Sequence, residues 1–337
     1  MKKKILIMLL VSVTLILPLT ACKKDEGLTE ITLNEVAHSI FYAPMYVAIE
    51  EGYFEKEGLD VELINGLGAD KTMTALLSGE ADIGFMGAEA SVYVYNEGAT
   101  DYAVNFSQLT QRAGNFLVSR NMDDPINEDF DWNSLKGKTV IGGRIGGMPQ
   151  MVFEFVLKEK GFDIENDLDI IQNIDFGITA QSFASGTGDY TVEFEPQATA
   201  LELEGVGKVV ASLGVESGKV PYTAFCARKS YIEENPEIIQ GFANAIQKGM
   251  DYIATHSVEE IANAIHPQFK ETDIETVKII VKRYYDQDTW KSDTIFEEES
   301  FILLQDVLDG AGELSARIPY EDLINTEFAE KALENSK

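Results

Sequence analysis

The sequence predicts an α/β protein of two lobes, each a mixed sheet flanked by helices and the two joined by a pair of crossover strands. Three observations predict it. Strand-like and helix-like segments alternate through most of the chain. A strand–loop–helix plan occurs twice, and each copy is followed by a similar Gly-Asp turn. Two apolar strands ending in Arg, 116–120 and 224–228, stand where the chain would pass between units. Two such passages are what a hinge needs.

The first elements concern export. Lys2, Lys3 and Lys4 precede an apolar run over 5–17 that ends in Leu19-Thr20-Ala21-Cys22. A basic start, an apolar middle and a small-residue cleavage site make a secretory signal. The run falls short of the roughly 20 residues a transmembrane helix needs. Cys22 directly after Leu-Thr-Ala resembles the bacterial lipobox, in which this Cys is lipidated and becomes the mature N-terminus. An ordinary signal peptide with an incidental Cys is the alternative. We therefore expect a leader over 1–21, a tether over 22–29, and a lipid-anchored monomer on the outer face of the cell membrane.

Removing 1–21 from 337 residues leaves 316, enough for two lobes with their own cores. The formal net charge is −30, so the chain repels nucleic acid and anionic lipid. Only Cys22 and Cys226 are present, which leaves no disulfide framework. Cys226 lies in the apolar strand pattern 223–227 and reads as a small core residue. Metal ligands are scarce, with His38, His256 and His266 the only histidines, so no metal site is expected.

The elements then follow in order. Residues 31–36 alternate as a half-buried strand, and Pro44 opens a helix running to about 51. A strand over 60–64 precedes a helix that Asp70 can cap and Gly79 can end. A short strand at 83–86 leads to a helix ending at Gly98. Ser78-Gly79-Glu80-Ala81-Asp82-Ile83 recurs in kind as Ser185-Gly186-Thr187-Gly188-Asp189-Tyr190. Upstream of the second copy, strand 139–141, loop 142–148 and the helix opened by Pro149 repeat the unit around Pro44. From Pro236 onward the pattern is helical, over 237–254, 258–265, 272–285 and 296–308. The first lobe is expected to combine 30–118 with 226–337, the second to hold 122–222, with hinges near 116–122 and 222–228.

Enzyme motifs are absent: no Gly-x-Ser-x-Gly, no His-Glu-x-x-His, and no phosphate loop ending in Gly-Lys-Ser/Thr. The stretch Gly142-Gly143-Arg144-Ile145-Gly146-Gly147 departs from dinucleotide spacing. Its backbone N–H groups at a helix start could hold an acceptor oxygen, or it is a tight turn without a ligand. Ligands of α/β sheets bind at the carboxyl ends of strands. There the sequence places His38, Ser39, Phe41 and Tyr42, then Gln108, Gln111 and Arg112, then Tyr190, Glu193 and Glu195, with Tyr222 at the second passage. Aromatic faces stack a flat ligand, and a carboxylate accepts parallel N–H bonds from an amino-heterocycle. Phe41 is also a core candidate.

Ala43-Pro44-Met45-Tyr46-Val47-Ala48-Ile49-Glu50-Glu51-Gly52-Tyr53-Phe54, with Glu57-Gly58-Leu59-Asp60-Val61-Glu62, resembles the opening of substrate-binding proteins of bacterial ABC importers. The resemblance is strongest to the nitrate, sulfonate and thiamine-pyrimidine-precursor branch. Leu77-Ser78-Gly79-Glu80-Ala81-Asp82-Ile83-Gly84 and Leu135-Lys136-Gly137-Lys138-Thr139-Val140 fit the same pattern. It implies a type II-like periplasmic-binding-protein fold that closes on a small molecule and delivers it to a permease and its ATPase, with no cofactor and no catalysis. Carried onto this chain, the cleft loops are 38–42, 68–70, 86–89, 108–112, 144–148 and 190–195. They add Asp70, Met86, Glu89, Arg144, Gly146, Gly147 and Met148 to the candidates. Aromatics plus Glu89, Glu193 and Glu195 favour a planar, nitrogen-rich, neutral or cationic ligand such as a thiamine-type pyrimidine precursor. Arg112, Arg144 and the glycine amides leave open an alkanesulfonate or nitrate anion, and a riboflavin-like ligand is a further alternative. A related fold includes pyrimidine-precursor synthases that use a cysteine cluster, which this chain lacks.

Overall fold

The computed structural model describes residues 27–337, so the expected leader, Cys22 and most of the tether lie outside the described residues. Ten strands follow in chain order: β1 (Thr29–Glu35), β2 (Leu59–Asn65), β3 (Ile83–Met86), β4 (Ala103–Thr110), β5 (Phe116–Ser119), β6 (Thr139–Ile141), β7 (Asp169–Ile171), β8 (Tyr190–Glu193), β9 (Lys208–Ser212) and β10 (Thr223–Arg228). They form two five-stranded sheets of order β2-β1-β3-β10-β4 and β7-β6-β8-β5-β9. The plan is the same in both. Three parallel strands are followed by an antiparallel fourth, and the fifth pairs antiparallel with that one. Parallel neighbours need helical crossovers, which is why the sequence alternates strand and helix.

The internal repeat is a physical device. Asp82 accepts the Thr32 N–H at 2.9 Å and returns its own N–H to the Thr32 carbonyl. Asp189 does the same to Thr139, at 3.0 Å through the side chain. Each Asp thus clips the turn before a strand onto its parallel neighbour, at the middle of β1 and at the start of β6. The terminal arginines of the fourth strands belong to the same device. Arg120 donates to the Phe183, Thr187 and Gly188 carbonyls around the second turn. Arg228 lies beside Gly79, whose left-handed φ of +80° ends the preceding helix.

These two Arg-ending strands were expected to be the crossings. Instead β5 is hydrogen-bonded on both sides inside the second sheet, and β10 on both sides inside the first. A strand so paired cannot act as a linker. The chain passes between sheets through 111–115 and returns through 213–222.

The helix Pro236–Thr255 lies against the helix Ala43–Glu50, with Gly249 at their contact. A Cβ there would stand 2.2 Å from the Pro44 carbonyl oxygen, so only glycine permits this approach. The C-terminal helices are not confined to the first sheet. Tyr284, on the helix Ile274–Asp286, donates to the Gly114 carbonyl at 2.9 Å. Arg283 of the same helix holds Glu195 and Glu202 of the second unit. The helix Glu298–Gly310 meets the helix Met148–Glu159, where Lys158 donates to the Gly310 carbonyl at 2.6 Å. The sequence pattern of this region shows amphipathic faces but not which sheet they cover.

Cys226 is buried in a small cluster with Met73, Leu76 and Met86, and burial pushes its thiol up to about 12. It is an inert core residue. Among the described residues no helix is long and apolar enough to cross a membrane.

Candidate functional site

The carboxyl ends of β1, β3, β6 and β8 face one another across the two sheets. Glu89 opens the helix Glu89–Asn96 after β3, with Glu89 itself buried and its Oε2 without a partner. Burial pushes its carboxyl up to about 8, offset in part by the backbone N–H groups of Glu89 and, from the other unit, Met148. Met148 stands in the first turn of its helix, where N–H groups lack intrahelical partners.

Tyr42 and Tyr222 share this space. Both are buried, and burial followed by nearby charge, including that of Glu89, holds their hydroxyls protonated. The Tyr222 hydroxyl has no partner. Aromatic rings wall the cluster. Phe41 meets Tyr222 edge-on at 5.7 Å and Phe194 at 5.8 Å, while Tyr42 stands edge-on to Phe85 at 4.5 Å. Tyr93, one turn beyond Glu89 on the same helix face, donates to the Gly146 carbonyl at 3.1 Å. Ser39 donates to the Glu195 carbonyl at 2.8 Å. At the outer rim Arg144 pairs with Asp70 at 3.2 Å, both about half exposed. The Phe41–Phe194, Tyr93–Gly146, Ser39–Glu195 and Arg144–Asp70 contacts join one sheet's loops to the other's.

Of the expected residues, the structure gathers Ser39, Phe41, Tyr42, Glu89, Gly146, Met148 and Tyr222 at this junction, with Gly147 capping the Met148 helix. Asp70 and Arg144 form its rim, and Asp70 lies in the first turn of the helix Ala69–Ser78 while Gly68 is the cap. Glu193 closes β8, accepting from Thr191 at 2.6 Å and Thr179 at 2.9 Å, and burial pushes it up to about 7.

Other candidates are placed elsewhere. Tyr190 occupies the opposite end of β8 from Glu193, with its hydroxyl on Asp124 at 2.9 Å, because side chains at the two ends of a strand serve different surroundings. Met86 packs in the Cys226 cluster. Glu195 is a strut, since burial raises its carboxyl while Arg283 and Thr199 lower it. His38 is bound at both nitrogens, to Glu35 at 2.8 Å and the Gln268 carbonyl at 2.9 Å, and stacks on Phe269. Burial alone would push His38 down, but the Glu35 and Gln268 bonds lift it. Gln108 lies near the end of β4, and Gln111 and Arg112 stand in the first passage. Gln111 donates to the Asp288 carbonyl at 3.1 Å, and Arg112 donates to the Gly214 carbonyl at 3.1 Å.

Three contributors were missed. Tyr93 is one, and its i+4 spacing from Glu89 was the available signal. Phe85 forms a wall from within β3 and reads as core in the sequence. Asn115 ends the first passage fully buried with both amide atoms unpartnered, a feature no pattern announces.

This architecture is that of the solute-binding proteins of ABC importers. The alkanesulfonate-binding protein SsuA from Xanthomonas axonopodis pv. citri superposes with a TM-score of 0.70 at 13% identity, covering 89% of this chain and 99% of that one. The periplasmic nitrate-binding protein NrtA from Synechocystis PCC 6803 gives 0.71 at 16%, covering 91% and 89%. Residues 40–260 match the family described as NMT1/THI5 like, and the chain belongs to that family. A relative from Bacillus subtilis (strain 168), YtlA, is 48% identical over 320 residues, 95% of each chain. The 4-amino-5-hydroxymethyl-2-methylpyrimidine phosphate synthase of Aspergillus parasiticus is 25% identical over 223 residues, 63% of each chain.

Proposed function

We propose that this protein is the extracytoplasmic solute-binding component of an ABC importer. It captures a planar, nitrogen-containing heterocycle of the thiamine-pyrimidine-precursor kind and hands it unchanged to a permease. Cys22 tethers it by lipid to the outer face of the membrane. The two units turn about passages 111–115 and 213–222, and the ligand favours closure to the extent that it binds the closed form better.

One observation carries the ligand class: the buried Glu89 carboxyl with an unpartnered Oε2, close enough to Tyr42 and Tyr222 to act on their hydroxyls, the latter also unpartnered. A neutral carboxyl offers one O–H donor and an acceptor, the complement of a ring nitrogen next to an amino group. Ionised, it suits the protonated form of the same heterocycle. Rings in the Phe41–Phe194–Tyr222 wall add stacking of ~0.5–1.5 kcal/mol each. Micromolar capture needs about 8 kcal/mol in all, which these contacts can reach.

A full anion finds less here. Arg112 is engaged by Gly214 and Asp288, and Arg144 by Asp70 at the exposed rim. The unpartnered Nε of Arg112 is the observation that favours a sulfonate or nitrate as the second reading. Mass spectrometry of small molecules released from natively purified protein tests the choice. A nitrogen heterocycle is expected, and a sulfonate would overturn it.

A further inference from the structure

A groove of about 220 Å³ opens beside the two passages and shares no lining residue with the cluster around Glu89. Gln108 and Gln111 line it from the end of β4 and the first passage, and Lys219 from the second. Lys291, Asp293 and Glu297 line it from the segment before the helix Glu298–Gly310.

Two features of this groove are not explained by folding. Gln108 is 1% exposed and donates its Nε2 to the Thr110 carbonyl at 2.9 Å, yet its Oε1 has no partner. An orphaned buried acceptor is costly, and the fixed Nε2 bond rules out relieving it by an amide flip. The Lys291 side chain is only 9% exposed, and its ion pair with Asp293 spans 3.8 Å, beyond hydrogen-bond length. Its stem is buried while its ammonium lacks a close counter-charge. Across the groove the Lys219 ammonium stands 3.6 Å from Asp288, again without a close bond.

We propose that this groove is a second binding site, for a small α-amino acid. A carboxylate answers the two ammonium groups, and an N–H donor answers Gln108 Oε1. Asp293 and Glu297 favour the ligand's ammonium. A simple anion would satisfy the lysines and leave Gln108 orphaned, whereas a simple cation would meet the lysines. The volume admits only compact members of the class. Gln111 and Lys219 lie on the two passages, so the occupant touches both.

Calorimetric titration of the purified protein with glycine, L-serine, L-lactate and acetate tests the assignment. Glycine or L-serine should bind most tightly, L-lactate less, and acetate least. Lys291→Met should weaken binding about tenfold, the worth of one charge-assisted bond, while Glu89→Gln leaves it unchanged. Should Lys291→Met fail to fold, Lys219→Met at an exposed position should still weaken binding about threefold. Absence of binding by all four compounds overturns the site, as does equal affinity in the folded lysine variants. Loss of binding in Glu89→Gln would show that the compounds enter the cleft instead.

Discussion

Glu89→Gln isolates the group on which the cleft chemistry rests. The substitution keeps the side chain's shape and removes its ability to ionise. In the folded protein burial holds this carboxyl up to about 8, against an ordinary value of 4.5. Between those values the native state keeps a proton that the unfolded state has released. The associated stability is therefore fully present below pH 4.5 and is lost as pH rises through 8. A shift of this size corresponds to about 5 kcal/mol as a ceiling, at 1.36 kcal/mol per unit. Any local opening that hydrates Glu89 short of global unfolding caps the loss. Urea denaturation of wild type and Glu89→Gln at pH 5, 7 and 9 reads the difference directly. The variant should match wild type at pH 5 and gain on it by one to several kcal/mol, roughly, at pH 9. Parallel pH profiles would refute the burial of an ionisable, unpaired carboxyl at this junction.

Four further outcomes are expected. Tyr222→Phe should weaken binding of the cleft ligand about tenfold while leaving the ligand-free melting temperature unchanged or higher, as measured by calorimetry and thermal melts, because its hydroxyl is buried and unpartnered. Tyr190→Ala should instead cost about 3 kcal/mol or more of stability in urea, since the residue packs near Phe130 and bonds Asp124. Arg283→Met should destabilise by about 3–5 kcal/mol, because the buried Glu195 carboxylate loses its cation. A double-mutant cycle on Asp70 and Arg144 should yield under about 1 kcal/mol, fading in high salt, as both side chains are half exposed.

Much of the architecture was legible because its causes are local. The helix over 237–254 was bounded by Asn235-Pro236, and the structure gives Pro236–Thr255. The Ser-Gly-Asp repeat was visible because each copy needs a left-handed Gly and an Asp that bonds the neighbouring strand. That the Arg-ending strands would pair inside the sheets rather than form the passages was not legible. Nothing in an apolar segment such as Phe116–Ser119 states which sheet edge it will pair with. The cleft was read in part for a similar reason. Position at a strand's carboxyl end nominated Tyr42, the family resemblance nominated Glu89, and the second passage nominated Tyr222. Strand-end position also drew in Tyr190, although the Asp189-Tyr190 repeat itself puts that residue at the strand's start, the end away from Glu193. Glu195 and His38 looked like free ligands in sequence, yet partners more than eighty residues away occupy them. Long-range pairing of this kind leaves no local signature.

The most direct measurement is a calorimetric titration of the protein with a thiamine-type aminopyrimidine and with an alkanesulfonate, each recovered afterwards and weighed by mass spectrometry. Solute capture at the Glu89–Tyr222 junction predicts one-to-one binding of the aminopyrimidine, abolished or much weakened in Glu89→Ala, with the compound returned intact. Binding of the sulfonate alone, or an aminopyrimidine returned chemically altered, would contradict it.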